Sequence, residues 1–198
     1  MIYNFEYELK LMLSEDEYRM LDFYDGEEAF SQVNHYFDTP SFKMWDSMTV
    51  IRVRQIKDSY ELTVKKKNSG RDANGVITMD EHNLDIPEET AEGLIDNRLD
   101  IKDYLPEDPV YDNVPLKKIG SITTLRRKIR INEQLPMAEL DKSVYSGMVD
   151  YELEWEIDDR DYQSAVGSLE KIGLGLEGRA VGKSKYGRLV DIMRKGKE

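Results

Sequence analysis

Apolar and polar side chains alternate along much of this chain with a period of two, which is the spacing of a β-strand. The first such segment, FEYELKL at 5–11, places its aromatic and leucine side chains on one side. Glu6, Glu8 and Lys10 lie on the other side. The same alternation predicts further strands at 33–39, 49–56, 60–67, 76–81, 117–131, 136–146 and 150–157.

Four segments instead carry the spacing of an amphipathic helix. They lie at 14–24, 86–99, 160–174 and 182–195. Ser14 and Glu17 form a capping-box pattern, and Pro87 lies near the first turn of the second helix. Many strands with interspersed helices and no regular βαβ alternation predict an α+β fold with a largely antiparallel sheet. We expect one domain over 1–198, with a helical excursion at about 86–112.

The composition excludes several classes of function. The net charge is −12, and this negative field argues against non-specific binding of nucleic acid or anionic membranes. There are no cysteines, so disulfides, thiolate zinc sites and a cysteine nucleophile are excluded, and a cytoplasmic location is expected. No apolar run is long enough for a transmembrane helix, and the start of the chain lacks the pattern of a signal peptide.

Within each predicted strand, the charged face carries mostly one sign of charge. Arg52 and Arg54 share one strand face, whereas the polar face of 150–157 carries only carboxylates. An ordinary solvated sheet mixes signs, because like charges side by side repel. If the sheet closes, the charged faces line the interior of a barrel; otherwise they are a solvated outer face, and the pattern leaves both open. Basic strands suit a polyphosphate, and clustered carboxylates suit Mg²⁺ or Mn²⁺.

An ordered set of motifs resembles the CYTH superfamily, the triphosphate tunnel metalloenzymes. Glu6-x-Glu8-x-Lys10 resembles the ExExK signature of that superfamily. The other matching segments are HYFDT (35–39), RVR (52–54), ELTVKKK (61–67), LRRK (125–128), ELDKS (139–143), YELEWE (151–156) and GKSKYG (182–187). The chain is most similar to the small, stand-alone CYTH proteins of Gram-positive bacteria.

The resemblance implies a fold and a set of site residues. The fold would be a closed eight-stranded antiparallel β-barrel, the tunnel, with helices packed on its outside. The implied metal ligands are Glu6, Glu8, Asp141, Glu152, Glu154 and Glu156. The implied triphosphate contacts are Lys10, Arg52, Arg54, Lys65, Lys67, Arg126, Lys128, Lys183 and Lys185. The implied catalytic set is Glu6, Glu8, Lys10, Glu152 and Glu154.

The resemblance also implies an activity, which is hydrolysis of a triphosphate with Mg²⁺ or Mn²⁺. The substrate would be inorganic triphosphate or a small molecule such as thiamine triphosphate. A class IV adenylate cyclase and a non-catalytic polyphosphate-binding regulatory module are the alternatives. We expect no nucleic-acid or membrane partner. We expect a monomer or weak homodimer, because a closed barrel leaves no sheet edge to pair.

Overall fold

The computed structural model describes residues 6–71, 77–176 and 183–196, with side chains for 9–66, 80–158, 160–176 and 183–196. Within these ranges, eight strands and five α-helices follow one another in irregular order. The strands are β1 Glu6–Leu13, β2 Phe30–Asp38, β3 Thr49–Ile56, β4 Ser59–Arg71, β5 Ile77–Ile86, β6 Lys117–Ile129, β7 Ala138–Tyr145 and β8 Met148–Asp158. The helices are α1 Glu15–Leu21, α2 Lys43–Asp46, α3 Glu88–Ile95, α4 Tyr162–Lys171 and α5 Lys185–Lys195. The predicted α+β class is confirmed.

The eight strands form one sheet in the order β1-β8-β7-β6-β2-β3-β4-β5. The neighbouring strands pair antiparallel, as in β1 with β8, β7 with β8, and β3 with both β2 and β4. The largely antiparallel sheet expected from the sequence is therefore confirmed. Among the described residues this order ends at β1 and β5, so closure of the sheet into a barrel stays a prediction.

Some element bounds follow the sequence pattern and others differ from it. β3 begins and ends where the alternation predicts, at Thr49 and Ile56. The capping box at the start of α1 is present, because the Ser14 hydroxyl accepts from the Glu17 amide and the Glu17 carboxylate accepts from the Ser14 amide. β5 is longer than predicted and reaches Ile86. The excursion contains α3 and two short 3-10 turns, Ile101–Tyr104 and Pro109–Tyr111.

The chain divides into two compact units. The first comprises Met1–Ser31 and Thr124–Lys183, and the second comprises Gln32–Thr123 and Ser184–Glu198. The borders fall inside β2 and β6, so each of these strands contributes residues to both units. The single domain expected from the sequence stays a prediction.

The core of the first unit lies under β1, β7 and β8. Leu11, Leu140 and Leu153 pack with Trp155, and the inward face of α4 covers them through Ala165. Burial of these apolar side chains is the main stabilising term of the unit. The Trp155 indole N–H donates to the Pro136 carbonyl at 2.8 Å, which satisfies the polar atom of this buried ring.

The core of the second unit lies between the sheet and the 88–116 excursion. Ile51, Val53 and Leu62 form its strand side, and Leu94 and Ile101 cover them. The Lys66 ammonium pairs with Asp108 and ties the excursion to β4. In the described part of the chain, no helix is both long and apolar enough to cross a membrane.

Candidate functional site

Carboxylates cluster on one face of β7 and β8 in the first unit. The antiparallel register places Asp141 opposite Glu152 and Glu139 opposite Glu154. Ligand oxygens of Asp141, Glu152 and Glu154 all lie within 4.8 Å of one another. Asp141 is fully buried and Glu152 is 1% exposed. Buried carboxylates this close repel one another unless cations compensate them.

Two cations of the first unit compensate this cluster. Arg126 Nε donates to Asp141 Oδ1 at 2.8 Å, and its Nη2 donates to Asp141 Oδ2 at 2.6 Å. The same Nη2 donates to Glu154 Oε2 at 2.8 Å, and Nη1 pairs with Glu139. Lys10 Nζ lies 2.7 Å from Glu154 Oε1. Asp141, Glu152 and Glu154 still bring their oxygens close enough together for one metal cation to bind all three.

The pKa values in this cluster reflect burial and charge together. Burial disfavours the charged guanidinium of Arg126, but its bonds to Asp141 and the charges of Glu139 and Glu154 outweigh burial and raise its pKa. Burial raises the pKa of the Glu139 carboxyl, and the neighbouring carboxylates add to that effect against Arg126. Arg126 therefore stays positively charged. The charged form of the Glu139 carboxyl is disfavoured.

Local sequence sets the register of the two acidic strands. Ser146 and Gly147 join β7 to β8 and both have positive φ, at 47° and 77°. Such a two-residue turn matches the twist of an antiparallel pair, and Gly adopts the conformation without steric cost. Tyr145 pairs with Met148 across this turn, and every second pair from there lies on one face of the sheet.

A cavity of about 460 Å³ lies beside the cluster in the first unit. Its lining combines charged groups with the apolar atoms of Pro136, Met137 and Ile157. The charged lining residues are Glu27, Lys128, Glu139, Glu156 and Asp158. Two residues predicted from the sequence, Lys128 and Glu156, thus lie at a solvent-accessible opening next to Glu139.

The donor set fits a hard divalent cation. Asp141, Glu152 and Glu154 offer oxygen ligands, which Mg²⁺ and Mn²⁺ prefer. The side chains of Glu6 and Glu8 lie outside the described residues. Their backbone positions pair with Asp158 and Glu156 in the β1–β8 register. Their proposed ligand role therefore stays a prediction.

Basic residues of the second unit share a face of β3 and β4. Arg54 pairs with Glu61, Arg52 with Thr63, and Val50 with Lys65 in the register of the two strands. Arg54 Nε donates to Asn34 Oδ1 at 3.0 Å, and Lys65 Nζ lies 2.7 Å from Glu81 Oε2. The predicted contact Lys67 has a side chain outside the described part of the chain.

Arg52 differs from these neighbours, because its Nε is buried without a hydrogen-bond partner among the described residues. A buried unpaired donor costs free energy comparable to a lost hydrogen bond. Such a guanidinium suits an anionic oxygen that reaches this face.

The two lysines predicted near the end of the chain lie in different surroundings. Lys183 is exposed, whereas Lys185 is buried at the start of α5. Lys183 matches the family motif and Lys185 lies close to it in the sequence, and both triphosphate contacts stay predictions.

Two polar contacts were not predicted from the sequence. Glu139 contacts Arg126, and Glu81 contacts Lys65. Burial opposes ionisation of Glu81, but the hydrogen bond and charge of Lys65 hold its pKa below the usual value. The period-two pattern places Glu139 on the same strand face as Asp141, and this feature of the sequence could have identified Glu139 as part of the cluster.

Comparisons with known proteins agree with this architecture. Residues 4–173 match the sequence model of the CYTH domain. The Bacillus subtilis (strain 168) protein "Putative triphosphatase YjbK" is 28% identical over 163 residues, which is 78% of each chain.

Two solved structures share the fold. The first is a Bacillus halodurans protein described as a "putative adenylate cyclase", with 24% identity and a TM-score of 0.70 over 93% of this chain and 97% of that one. The second is Hippeastrum HpAC1, with 20% identity and a TM-score of 0.69 over 96% of each chain. At these identities the likeness shows the fold alone. Because the family model spans most of its length, the chain belongs to the CYTH domain family.

Proposed function

We propose that the protein is a metal-dependent triphosphatase, which hydrolyses a phosphoanhydride bond of a small-molecule triphosphate. The observation that carries this proposal is the buried cluster of Asp141, Glu152 and Glu154, with Arg126 and Lys10 bonded to it. A pure polyanion binder gains nothing from buried carboxylates, because they repel its ligand. The name of the Bacillus subtilis relative supports the same class of activity.

The carboxylates would hold the cation. Asp141, Glu152 and Glu154 are the proposed ligands in the described cluster, and Glu6, Glu8 and Glu156 complete the set expected from the sequence. Bound Mg²⁺ or Mn²⁺ would neutralise phosphate charge and lower the pKa of a bound water. A site of this charge holds little metal when its carboxylates are protonated, so activity should fall at acid pH.

The cations would bind and orient the triphosphate. Arg126 is fixed by three carboxylates, so it presents its guanidinium with little loss of side-chain freedom. Lys10 on β1, which pairs with Glu154, is a second proposed triphosphate contact. The unsatisfied Nε of Arg52 supports anion binding on the basic face of the second unit. The other proposed triphosphate contacts are Arg54, Lys65, Lys67, Lys128, Lys183 and Lys185.

Phosphate release tests the proposal. We would compare inorganic triphosphate, thiamine triphosphate and ATP, each with Mg²⁺, with Mn²⁺ and with EDTA. The variant Glu154→Gln should lower turnover about 100-fold, because it removes a proposed ligand and the partner of Lys10. Glu170→Gln is the matched control, because Glu170 is exposed on α4 and should leave turnover unchanged.

Each other outcome points to a different function. Cyclic AMP formed from ATP without phosphate release would replace the hydrolase with a cyclase. Tight triphosphate binding without turnover at any metal would leave a binding module. Equal loss in Glu154→Gln and Glu170→Gln would show that the acidic cluster is not the site of the reaction.

A further inference from the structure

Asp38 at the end of β2 is a buried carboxylate with a complete set of donors. Its Oδ1 accepts from the Thr39 amide at 2.6 Å and the Met44 amide at 2.9 Å. Its Oδ2 accepts from the Trp45 amide at 3.0 Å and the Tyr186 hydroxyl at 2.6 Å. These four donors satisfy both oxygens of the buried carboxylate. Asp38 therefore fixes β2, α2 and α5 of the second unit to one another.

The Tyr186 ring reinforces this junction. It stacks on Tyr36 with the ring centroids 4.7 Å apart, and it meets the Trp45 ring edge-on at 5.5 Å. A Cβ at Gly187 would lie 2.7 Å from the Trp45 ring, so the first turn of α5 approaches α2 as closely as glycine allows. Burial and the hydrogen bond to Asp38 both raise the pKa of the Tyr186 hydroxyl, so it remains a donor.

The junction determines where Lys185 stands. Lys185 directly precedes Tyr186 in the first turn of α5, and its side chain is only 9% exposed. Tyr36 pairs with Arg52 in the β2–β3 register, so the Tyr186–Tyr36 stack holds this turn on the sheet face that carries Arg52. A rotation of the turn about the helix axis would carry Lys185 away from its buried position.

We propose that Tyr186 and Asp38 are positioning residues, whose hydrogen bond holds Lys185 in place to bind the triphosphate. This inference rests on the proposed function, which makes Lys185 a triphosphate contact. Neither Tyr186 nor Asp38 need touch the ligand. Tyr186 and Asp38 should change triphosphate affinity only when Lys185 is present. A general contribution to folding would not depend on Lys185 in this way.

Calorimetric binding of a methylene-bridged, non-hydrolysable triphosphate analogue in the presence of Mg²⁺ tests this without turnover. Tyr186→Phe keeps the stacked ring and removes only the hydroxyl, so affinity should fall about three- to tenfold, the range of one hydrogen bond. Lys185→Ala should weaken binding at least as much. In the double variant, Tyr186→Phe should add less than a twofold loss, because the lysine it positions is gone.

Tyr145→Phe is the matched control. The Tyr145 hydroxyl also donates to a carboxylate, that of Asp150, but in the β7–β8 hairpin of the first unit. The affinity of Tyr145→Phe for the triphosphate should match that of wild type, even if its melting temperature falls as much as that of Tyr186→Phe. Gly187→Ala is a second probe, because it displaces the turn while leaving the hydroxyl in place; it should also lose affinity through Lys185.

The outcomes separate the two proposals. If wild type binds and hydrolyses triphosphate but Tyr186→Phe binds equally well, the positioning proposal is wrong and the function stands. Additive losses in the double variant would also overturn it. In turnover, the KM of Tyr186→Phe should rise with kcat within about twofold of wild type. A wild type that binds no triphosphate would overturn both proposals.

Discussion

Arg126 is the residue on which the acidic face of the first unit depends. Its guanidinium contacts Glu139, Asp141 and Glu154, and Asp141 is fully buried. Removing such a cation takes a bonded partner away from buried carboxylates, and that costs more than the pair itself contributes. Arg126 thus makes a cluster of like charges tolerable in the folded chain, while its charge suits phosphate oxygens.

His35 should make the stability of the folded chain depend on pH. Burial, aided by the charge of Lys118, lowers the pKa of this imidazole from 6.5 to about 4, and its Nδ1 lies 2.9 Å from the Ser121 hydroxyl. Below pH 6.5 the unfolded chain takes up a proton that the folded chain refuses, so stability falls from pH 6.5 to about 4. His35→Gln should lose about 2 kcal/mol less unfolding free energy than wild type over this window, after allowance for the partial exposure of the ring.

Urea unfolding at pH 7 and pH 4 measures this difference. His82→Gln is the control, because His82 is exposed on β5, and its loss of unfolding free energy should equal that of wild type. Equal losses in wild type and His35→Gln would mean that His35 takes up its proton in the folded state.

The period-two pattern predicted faces well and contacts poorly. It placed Asp141, Glu152 and Glu154 on polar faces, but the pairing with Arg126 depends on strand order, which alternation does not contain. Arg127 broke the pattern on β6. Its guanidinium donates to the backbone carbonyls of Asp22, Tyr24 and Glu27, so it connects β6 to the loop after α1. Alternation places Leu125 on the apolar face of this strand, together with Ile129, but Leu125 is 42% exposed.

Short or interrupted elements were the ones the sequence did not define. α2 has only four residues. Its first three backbone amides donate hydrogen bonds to the side chains of Asp38 and Thr39, at the end of β2. Such a helix has too few residues to show a period. α3 was predicted to run to 99 but ends at Ile95, because Asn97 takes a positive φ of 56° and the Arg98 amide returns to the Gly93 carbonyl.

Two glycines predict opposite effects at the scale of elements. A Cβ at Gly26 would lie 2.2 Å from the Lys128 carbonyl oxygen, where the loop before β2 bridges to Ile129. Gly26→Ala should therefore destabilise the chain by about 2 to 3 kcal/mol, because backbone must move. Gly167 lies within α4 with nothing within 4 Å of its Cβ position. Gly167→Ala should stabilise by about 0.5 to 1 kcal/mol through helix propensity.

Thermal and urea unfolding of the two variants measures both signs under one set of conditions. The same chemical change is made in each, so the unfolded-state entropy that alanine removes is common to both. A Gly26→Ala variant as stable as wild type would show that the loop before β2 can retreat from β6 at no cost.

At the scale of the whole molecule, the net charge is −12, and the polar face of β7 and β8 carries a cluster of carboxylates. The sequence revealed the family through the order of its motifs along the chain, because that order is a property of the whole sequence. It did not reveal the two compact units, whose borders at Ser31/Gln32 and Thr123/Thr124 fall inside the continuous strands β2 and β6. A free triphosphate is repelled by the overall field, so a metal complex with less charge should be the form that approaches.

Metal binding should be measurable as stability of the whole chain, independent of turnover. A cation that binds the folded cluster of Asp141, Glu152 and Glu154 stabilises it by mass action. With Mg²⁺ or Mn²⁺ at about 100 times its Kd, the melting temperature should rise by about 5 to 10 °C over EDTA. Glu152→Gln should abolish this rise, because it removes a buried ligand oxygen.

Two controls separate the site from general screening of a strongly negative chain. NaCl at matched ionic strength measures the stabilisation that any salt provides. Glu170→Gln removes an exposed carboxylate on α4 and should keep the full metal-dependent rise. A rise retained in Glu152→Gln would place the ion elsewhere. No rise beyond that of NaCl in the wild type would show that Arg126 and Lys10 already satisfy the cluster without a metal.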